Sequence, residues 1–155
     1  MSMSYATRKY TQQDFKFVVA SYIEVFSSEP WNDQLTTTQI ETYVTDIVKL
    51  NTFVGYIFEN TATNEFVGCA LGFIRPWFKG REYQMDTFYI INRYQKKGLG
   101  GKFLTDIKAD LSDENIPTIM LDTERATPAE TFYRANHFDS LEESIILYAA
   151  TNDCD

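Results

Sequence analysis

Residues 89–104, Tyr-Ile-Ile-Asn-Arg-Tyr-Gln-Lys-Lys-Gly-Leu-Gly-Gly-Lys-Phe-Leu, constrain the fold more than any other stretch. An apolar strand pattern runs directly into a basic, glycine-rich turn, and apolar residues then recur at helical spacing. The first N–H groups of a helix have no internal partner, and glycines there let the main chain approach an anion closely. Gly98, Gly100 and Gly101 supply that approach, while Arg93, Lys96, Lys97 and Lys102 gather positive charge with no acid between them. The stretch therefore predicts a phosphate-binding helix start within an α/β fold. The plainer alternative is a solvated glycine turn, with Lys96 and Lys97 on an exposed charged face.

Upstream, Thr11 with Asp14 has the spacing of a capping box, and Phe15, Val18, Val19, Tyr22, Ile23 and Phe26 follow at helical period. This helix must stop by Pro30, because the residue before a proline is pushed out of the helical region. A loop over 27–33 follows. Thr38 with Glu41 then predicts a second helix start, with the stripe Ile40, Tyr43, Val44, Ile47 and Val48. Past Asn51 the period becomes strand-like: 52–58 and 66–74 read as a hairpin around a polar turn near 60–64, and 82–91 as a longer strand. Strict alternation along that strand sets Gln84, Asp86, Phe88 and Ile90 on one face and Met85, Thr87, Tyr89 and Ile91 on the other.

Downstream, Leu99, Phe103, Leu104, Ile107 and Leu111 form one helical stripe, ended by the polar residues 112–115. Pro117 opens a short strand over 118–121. Thr127-Pro-Ala-Glu130 combines an N-cap, proline at the first helical position and glutamate at the third, and predicts a helix over 129–136. A final strand is expected over 144–149. The order is strand, two helices, three strands, helix, strand, helix, strand, which predicts a mixed α/β sheet with helices on its faces.

At 155 residues with 44% hydrophobic content, a single domain over 1–155 with a sizeable core is expected. The formal net charge of −8 argues against nucleic-acid binding, which needs a broad basic face, and favours a cationic second substrate. Cys69 lies in an apolar run and reads as a small core residue, while Cys154 lies near the C-terminus; together they provide neither a disulfide framework nor a metal-ligand spacing. No apolar segment is long enough to cross a bilayer, so no membrane partner and a reduced cytoplasmic setting are expected.

At Gln95-Lys-Lys-Gly-Leu-Gly100, between a strand and a helix, the sequence resembles the acyl-coenzyme-A pyrophosphate loop of the GCN5-related N-acetyltransferase (GNAT) superfamily, Arg/Gln-x-x-Gly-x-Gly/Ala. Phe132-Tyr-Arg-Ala-Asn-His-Phe138 resembles that superfamily's later tyrosine helix, and Glu29-Pro-Trp-Asn-Asp33 a segment between the first two helices of many small members, some similar to aminoglycoside acetyltransferases. The resemblance covers 5–149. Three positions depart from it: Asn92 stands where proline is common, Asn136-His137 where a glycine precedes the phenylalanine, and Ala126 where many members have asparagine.

The resemblance implies a GNAT-like mixed α+β fold, with a mostly antiparallel twisted sheet of about six to seven strands flanked by about four helices. It implies acetyl-CoA as co-substrate, no metal, and direct acetyl transfer to a primary amine in a ternary complex. The amine belongs to a small, possibly polycationic molecule (aminoglycoside- or polyamine-like) or to a peptide. Homodimerisation stays open. A non-catalytic acyl-CoA-binding sensor on the same fold is the alternative. By the same resemblance, main-chain groups of Gln95, Lys96, Lys97, Gly98, Leu99, Gly100 and Gly101 bind the pyrophosphate. The strand is expected to splay at Ile90 and Ile91 so that one N–H there holds the acetyl oxygen.

Tyr133 matches the tyrosine that protonates the leaving thiolate, which suits a phenol facing a weaker base; its alternative is a core aromatic. Asp86 lies nearest along its strand to the acetyl position and is the candidate base, acting through a water, or else an ordinary strand-edge carboxylate. Trp31 with Glu29 and Asp33 is a candidate wall for a cationic acceptor, although a Pro-Trp pair more often plugs a core. His137, the only histidine, reads as structural.

Overall fold

The change of period near Asn51 is a real boundary between helices and sheet. In the computed structural model, which describes residues 4–152, strand β1 (Tyr5–Lys9) precedes helices α1 (Phe15–Phe26) and α2 (Thr37–Val48). Strands β2 (Phe53–Asn60), β3 (Glu65–Arg75) and β4 (Glu82–Ile90) follow, then α3 (Leu99–Asp113), β5 (Thr118–Met120) and α4 (Pro128–Ala135). The chain divides into two compact units, Met1–Thr123 and Glu124–Asp155. Cys154 lies outside the described residues.

In the first unit, one sheet runs in the order β1-β2-β3-β4-β5. The first four strands are antiparallel neighbours and β5 is parallel to β4. Adjacent residues of a strand point to opposite faces, and their partners identify those faces. Thr7 donates to Asp106 of α3 at 2.7 Å, whereas the next residue, Arg8, pairs with Asp14 ahead of α1. Likewise Phe88 stacks on Phe103 of α3 at 5.2 Å, while the Tyr89 hydroxyl bonds Ser21 of α1 at 2.7 Å. Helices α1 and α2 thus cover one face and α3 the other. Val18, Val44, Ile57, Val67, Cys69 and Ile107 fill the core between them with no more than 1% exposure.

Local signals explain the helix starts. The Asp14 carboxylate accepts from the Thr11 N–H at 2.8 Å, so the capping box closes, on a short 3-10 turn that leads into α1. The second start differs from expectation: the reciprocal bonds join Thr36 and Gln39, at 3.1 and 2.9 Å, and the helix begins at Thr37. Both Thr36/Gln39 and Thr38/Glu41 have capping-box spacing, and the earlier pair supplies the same chemistry one half-turn sooner.

Two expectations are corrected. The sheet has five strands among the described residues, because 144–149 forms no ladder there; an apolar run states a preference for a strand, but a strand also needs an edge to pair with. The strict alternation along β4 also fails. The β3–β4 register shifts between Leu71/Gly72, where Leu71 faces Thr87 and Gly72 faces Met85, leaving Asp86 as the extra residue of a bulge. Before the bulge Tyr83 faces the α3 side, stacking edge-on against Tyr56, whose hydroxyl donates to Asp110. After it Phe88 does so, and Asp86 turns toward α2 instead of sharing the face of Phe88 and Ile90.

Candidate active site

The site begins where β5 stops. Its pairing with β4 covers only Glu82, Tyr83 and Gln84, so from Met85 onward β4 has a strand neighbour on one side alone. The Ile91 N–H already donates to the Val67 carbonyl of β3 at 2.9 Å. Alternate residues of an antiparallel strand direct their N–H and C=O to opposite sides, so Ile90 turns its own away from β3, toward the side where β5 has ended. Ile91 is thereby removed as an acetyl-oxygen donor. The splay starts earlier than Ile90 because β5 is only three residues long.

The open edge leads into the basic turn. Gln95 donates its side-chain amide to the Ile90 carbonyl at 2.8 Å, tying the turn to the strand end. Gly98 caps α3 in the left-handed region at φ 75°, and a Cβ placed there would meet nothing within 4 Å. Lys96 shares that conformation at φ 62°. No backbone carbonyl among the described residues accepts from the N–H groups of Lys96, Lys97 or Gly98, and Leu99, Gly100 and Gly101 precede the first helical hydrogen bond. These N–H groups and the open space beside Gly98 fit a pyrophosphate. The basic side chains are divided: Arg93 and Lys97 each lie 5.5 Å from the Tyr94 ring centroid, and Lys102 pairs with Asp106 at 2.8 Å.

On the α1/α2 face an aromatic and acidic wall lines the same strand. Trp31 packs on Phe26 at 5.7 Å, Phe26 on Tyr89 at 5.9 Å, and Tyr22 on Tyr43 at 5.7 Å. The Tyr43 hydroxyl donates to Asp86 Oδ2 at 2.6 Å and lies 2.6 Å from Thr87 Oγ1. With its one proton spent on the carboxylate, Tyr43 accepts from the threonine hydroxyl, so the order of donation is Thr87, Tyr43, Asp86. Burial pushes the Tyr43 phenol well above its ordinary value, reinforced by the bond to Asp86. Burial also raises Tyr22, and the charges of Asp86 and Asp33 add to the shift. Trp31 thus packs on the aromatic cluster through Phe26. Asp33 is exposed, its N–H donating to the Phe26 carbonyl at 2.9 Å.

In the second unit, Thr127 accepts from the Glu130 N–H at 3.3 Å and starts α4, and Glu130 returns to the Ala126 N–H at 2.8 Å. Tyr133 lies between Phe132 and Phe138, with ring centroids at 5.3 and 5.4 Å. Burial raises its pKa above the ordinary phenol value. Phe138 donates to the Tyr133 carbonyl at 3.0 Å and His137 to that of Arg134 at 3.2 Å, closing the helix as a Schellman motif. His137, at φ 71°, occupies the left-handed position where glycine is usual, which gives the histidine a structural place.

The family model for the acetyltransferase (GNAT) family matches residues 15–138. The chain belongs to the GNAT acetyltransferases. Solved structures agree at the level of fold. A possible acetyltransferase from Clostridium difficile 630 superposes with a TM-score of 0.79 at 15% identity, covering 94% of this chain and 97% of that one. The aminoglycoside N-acetyltransferase AAC(6')-Iy in complex with CoA gives 0.74 at 11% identity, covering 97% of each chain. An aminoglycoside acetyltransferase, meta-AAC0020, from an uncultured soil metagenomic sample in complex with sisomicin gives 0.71 at 13% identity, covering 94% and 95%. No curated protein sequence matches the chain.

For this GNAT acetyltransferase, no group of three or more His, Cys, Asp and Glu among the described residues is arranged to hold a metal ion. None of its described helices is long and apolar enough to cross a membrane. The wall residues Tyr22, Tyr43 and Thr87 did not stand out as site residues in the sequence. Tyr22 and Tyr43 read there as parts of apolar helix stripes, and only a hydroxyl needing a buried partner hinted at more.

Proposed function

We propose that the chain is an acetyl-CoA-dependent N-acetyltransferase that acetylates a primary amine by direct attack in a ternary complex, in a reducing cytoplasmic setting. The observation that carries this reading is the β4 edge beyond β5 at Ile90, tied through Gln95 to the anion cradle around Gly98. The acyl donor supplies a thioester carbonyl and a thiolate leaving group. Main-chain N–H groups from Lys96 to Gly101 hold its pyrophosphate, and the helix start favours each anionic group by about 0.3–1 kcal/mol. The N–H of Ile90 holds its arm in the manner of an added strand.

The acceptor lies along the wall of Trp31, Asp33, Tyr22 and Asp86, which suits a cationic amine: carboxylates attract it, and aromatic faces add about 0.5–2 kcal/mol of cation–π attraction. The aminoglycoside acetyltransferases among the fold neighbours are in keeping with a polyamine-like acceptor. Asp86, oriented by Tyr43, takes the amine proton through a water with its other carboxylate oxygen. Tyr133 gives its proton to the departing sulfur, an assignment that rests on the family resemblance.

Release of free thiol from acetyl-CoA over a panel of monoamines, polyamines, aminoglycosides and peptides tests the reading. Turnover with at least one polycationic amine is expected, and Tyr133→Phe should lower kcat at least tenfold with little change in acetyl-CoA affinity. Tight CoA binding with no turnover on any amine would instead identify a sensor, and no CoA binding at all would overturn both.

A further inference from the structure

A second hollow opens on the other side of α1 from the aromatic wall. Phe17, Ala20, Ser21 and Glu24 recur at three- and four-residue spacing and share one stripe of the helix, roughly opposite the stripe of Tyr22 and Phe26. That stripe, the turn end of the β2–β3 hairpin and the segment just past β4 enclose a cavity of about 470 Å³, a size ordinary for a small-molecule site. All of its lining residues belong to the first unit.

The lining combines two chemistries. Phe17 of α1 stacks on Phe66 of β3, with ring centroids 6.4 Å apart and planes 16° from parallel, which gives the cavity a flat apolar wall. Charge supplies the rest. Asp14, Glu24, Glu59 and Glu65 line the cavity against only two cations, Arg8 and Arg93. Arg8 is already engaged, pairing with Asp14 at 2.8 Å and with Glu59 at 3.2 Å, and Arg93 approaches Glu65 only to 3.8 Å. No ion pair or side-chain hydrogen bond among the described residues engages the Glu24 carboxylate. Negative charge is thus in excess beside aromatic faces, and a ligand that satisfies both is a cation with an apolar body.

We propose that this cavity binds a small organic cation, an ammonium carried on a hydrocarbon or aromatic body, with Glu24 holding the charge and the Phe17–Phe66 pair the body. It is a second site, separate from the wall of Trp31 and Asp33. Ile91 and Arg93 also line it, so its occupant rests against the segment that leads from β4 into the basic turn.

The test uses the full-length chain and benzyltrimethylammonium, a probe with no N–H to acetylate. Isothermal titration calorimetry should show saturable binding with a Kd below about 10 mM. Glu24→Gln and, separately, Phe17→Ser should each weaken it about fivefold or more while the circular dichroism spectrum is kept, since both side chains are exposed. Asp33→Asn should leave it within about twofold, because distant sites act independently. Benzyl alcohol, which keeps the ring and lacks the charge, should bind about tenfold more weakly or worse. Absence of saturable binding would overturn the proposal, as would equal affinity for benzyl alcohol. So would an affinity that Glu24→Gln leaves intact, and a loss on Asp33→Asn alone would place the cation on the acceptor wall instead. None of these readouts depends on acetyl transfer, so failure of the assigned activity and failure of the cavity are separable.

Discussion

Asp14 is 6% exposed, yet it is charged, and its neighbours explain how. Arg8 donates to its two oxygens at 2.8 and 2.9 Å, and the Thr11 N–H at 2.8 Å. Burial alone would raise this carboxyl; the Arg8 guanidinium and the Thr11 donors outweigh it and hold the group below the ordinary carboxylate range. A depressed folded value means that the stabilisation is fully present above the unfolded value of about 3.9 and is lost as pH falls through the folded one. Asp14→Asn should therefore cost about 1–2 kcal/mol at pH 7, solvent at Arg8 trimming the loss, and progressively less as the pH falls below the unfolded value. Urea melts at pH 7 and at successively lower pH check this, and an equal deficit throughout would refute it. Thr11 and Asp14 were legible as a pair because a capping box is local. The Asp86–Tyr43–Thr87 chain was not, because its partners lie far apart in sequence and meet only after the strand has bulged.

That bulge carries much of the site at the level of elements. It depends on close approach at Gly72, where an added Cβ would stand 2.2 Å from the Gln84 carbonyl oxygen and 2.8 Å from the Tyr83 ring. Neither the backbone nor the fully buried Tyr83 can give way cheaply. Gly72→Ala should thus destabilise by roughly 1–3 kcal/mol and shift Asp86 away from Tyr43. Thermal melts with amine turnover measure both consequences; an unchanged melting temperature would show that the bulge does not rest on this contact. Most elements could be read from period, caps and prolines, since those signals sit within a few residues of what they specify. The bulge could not be read, because a single extra residue leaves the apolar pattern of β4 almost intact while reversing which face each later side chain uses. The strand expected over 144–149 was missing for a related reason: strand propensity does not contain the identity of the neighbour.

At the scale of the whole molecule, charge is the property that sequence conveyed most directly. A net charge of −8 sets the local basic turn apart from an acidic background. With a polycationic acceptor, kcat/KM should fall several-fold as ionic strength rises from about 0.05 to 0.5 M, since the Debye length shrinks from roughly 14 to 4 Å. A neutral amine should show little change over the same range, and an equal fall for both would mean that salt acts on the donor site instead.

The bond from Gln95 to the Ile90 carbonyl has a metric consequence. It clamps the cradle to the very residue whose N–H faces the open edge, so two gripping points belong to one stiff piece of chain. In the proposed reading of the site, the donor is then gauged lengthwise, as by a caliper. On that reading a donor with an arm one methylene longer is expected to be a poorer substrate, and equal kcat/KM for the two would refute it.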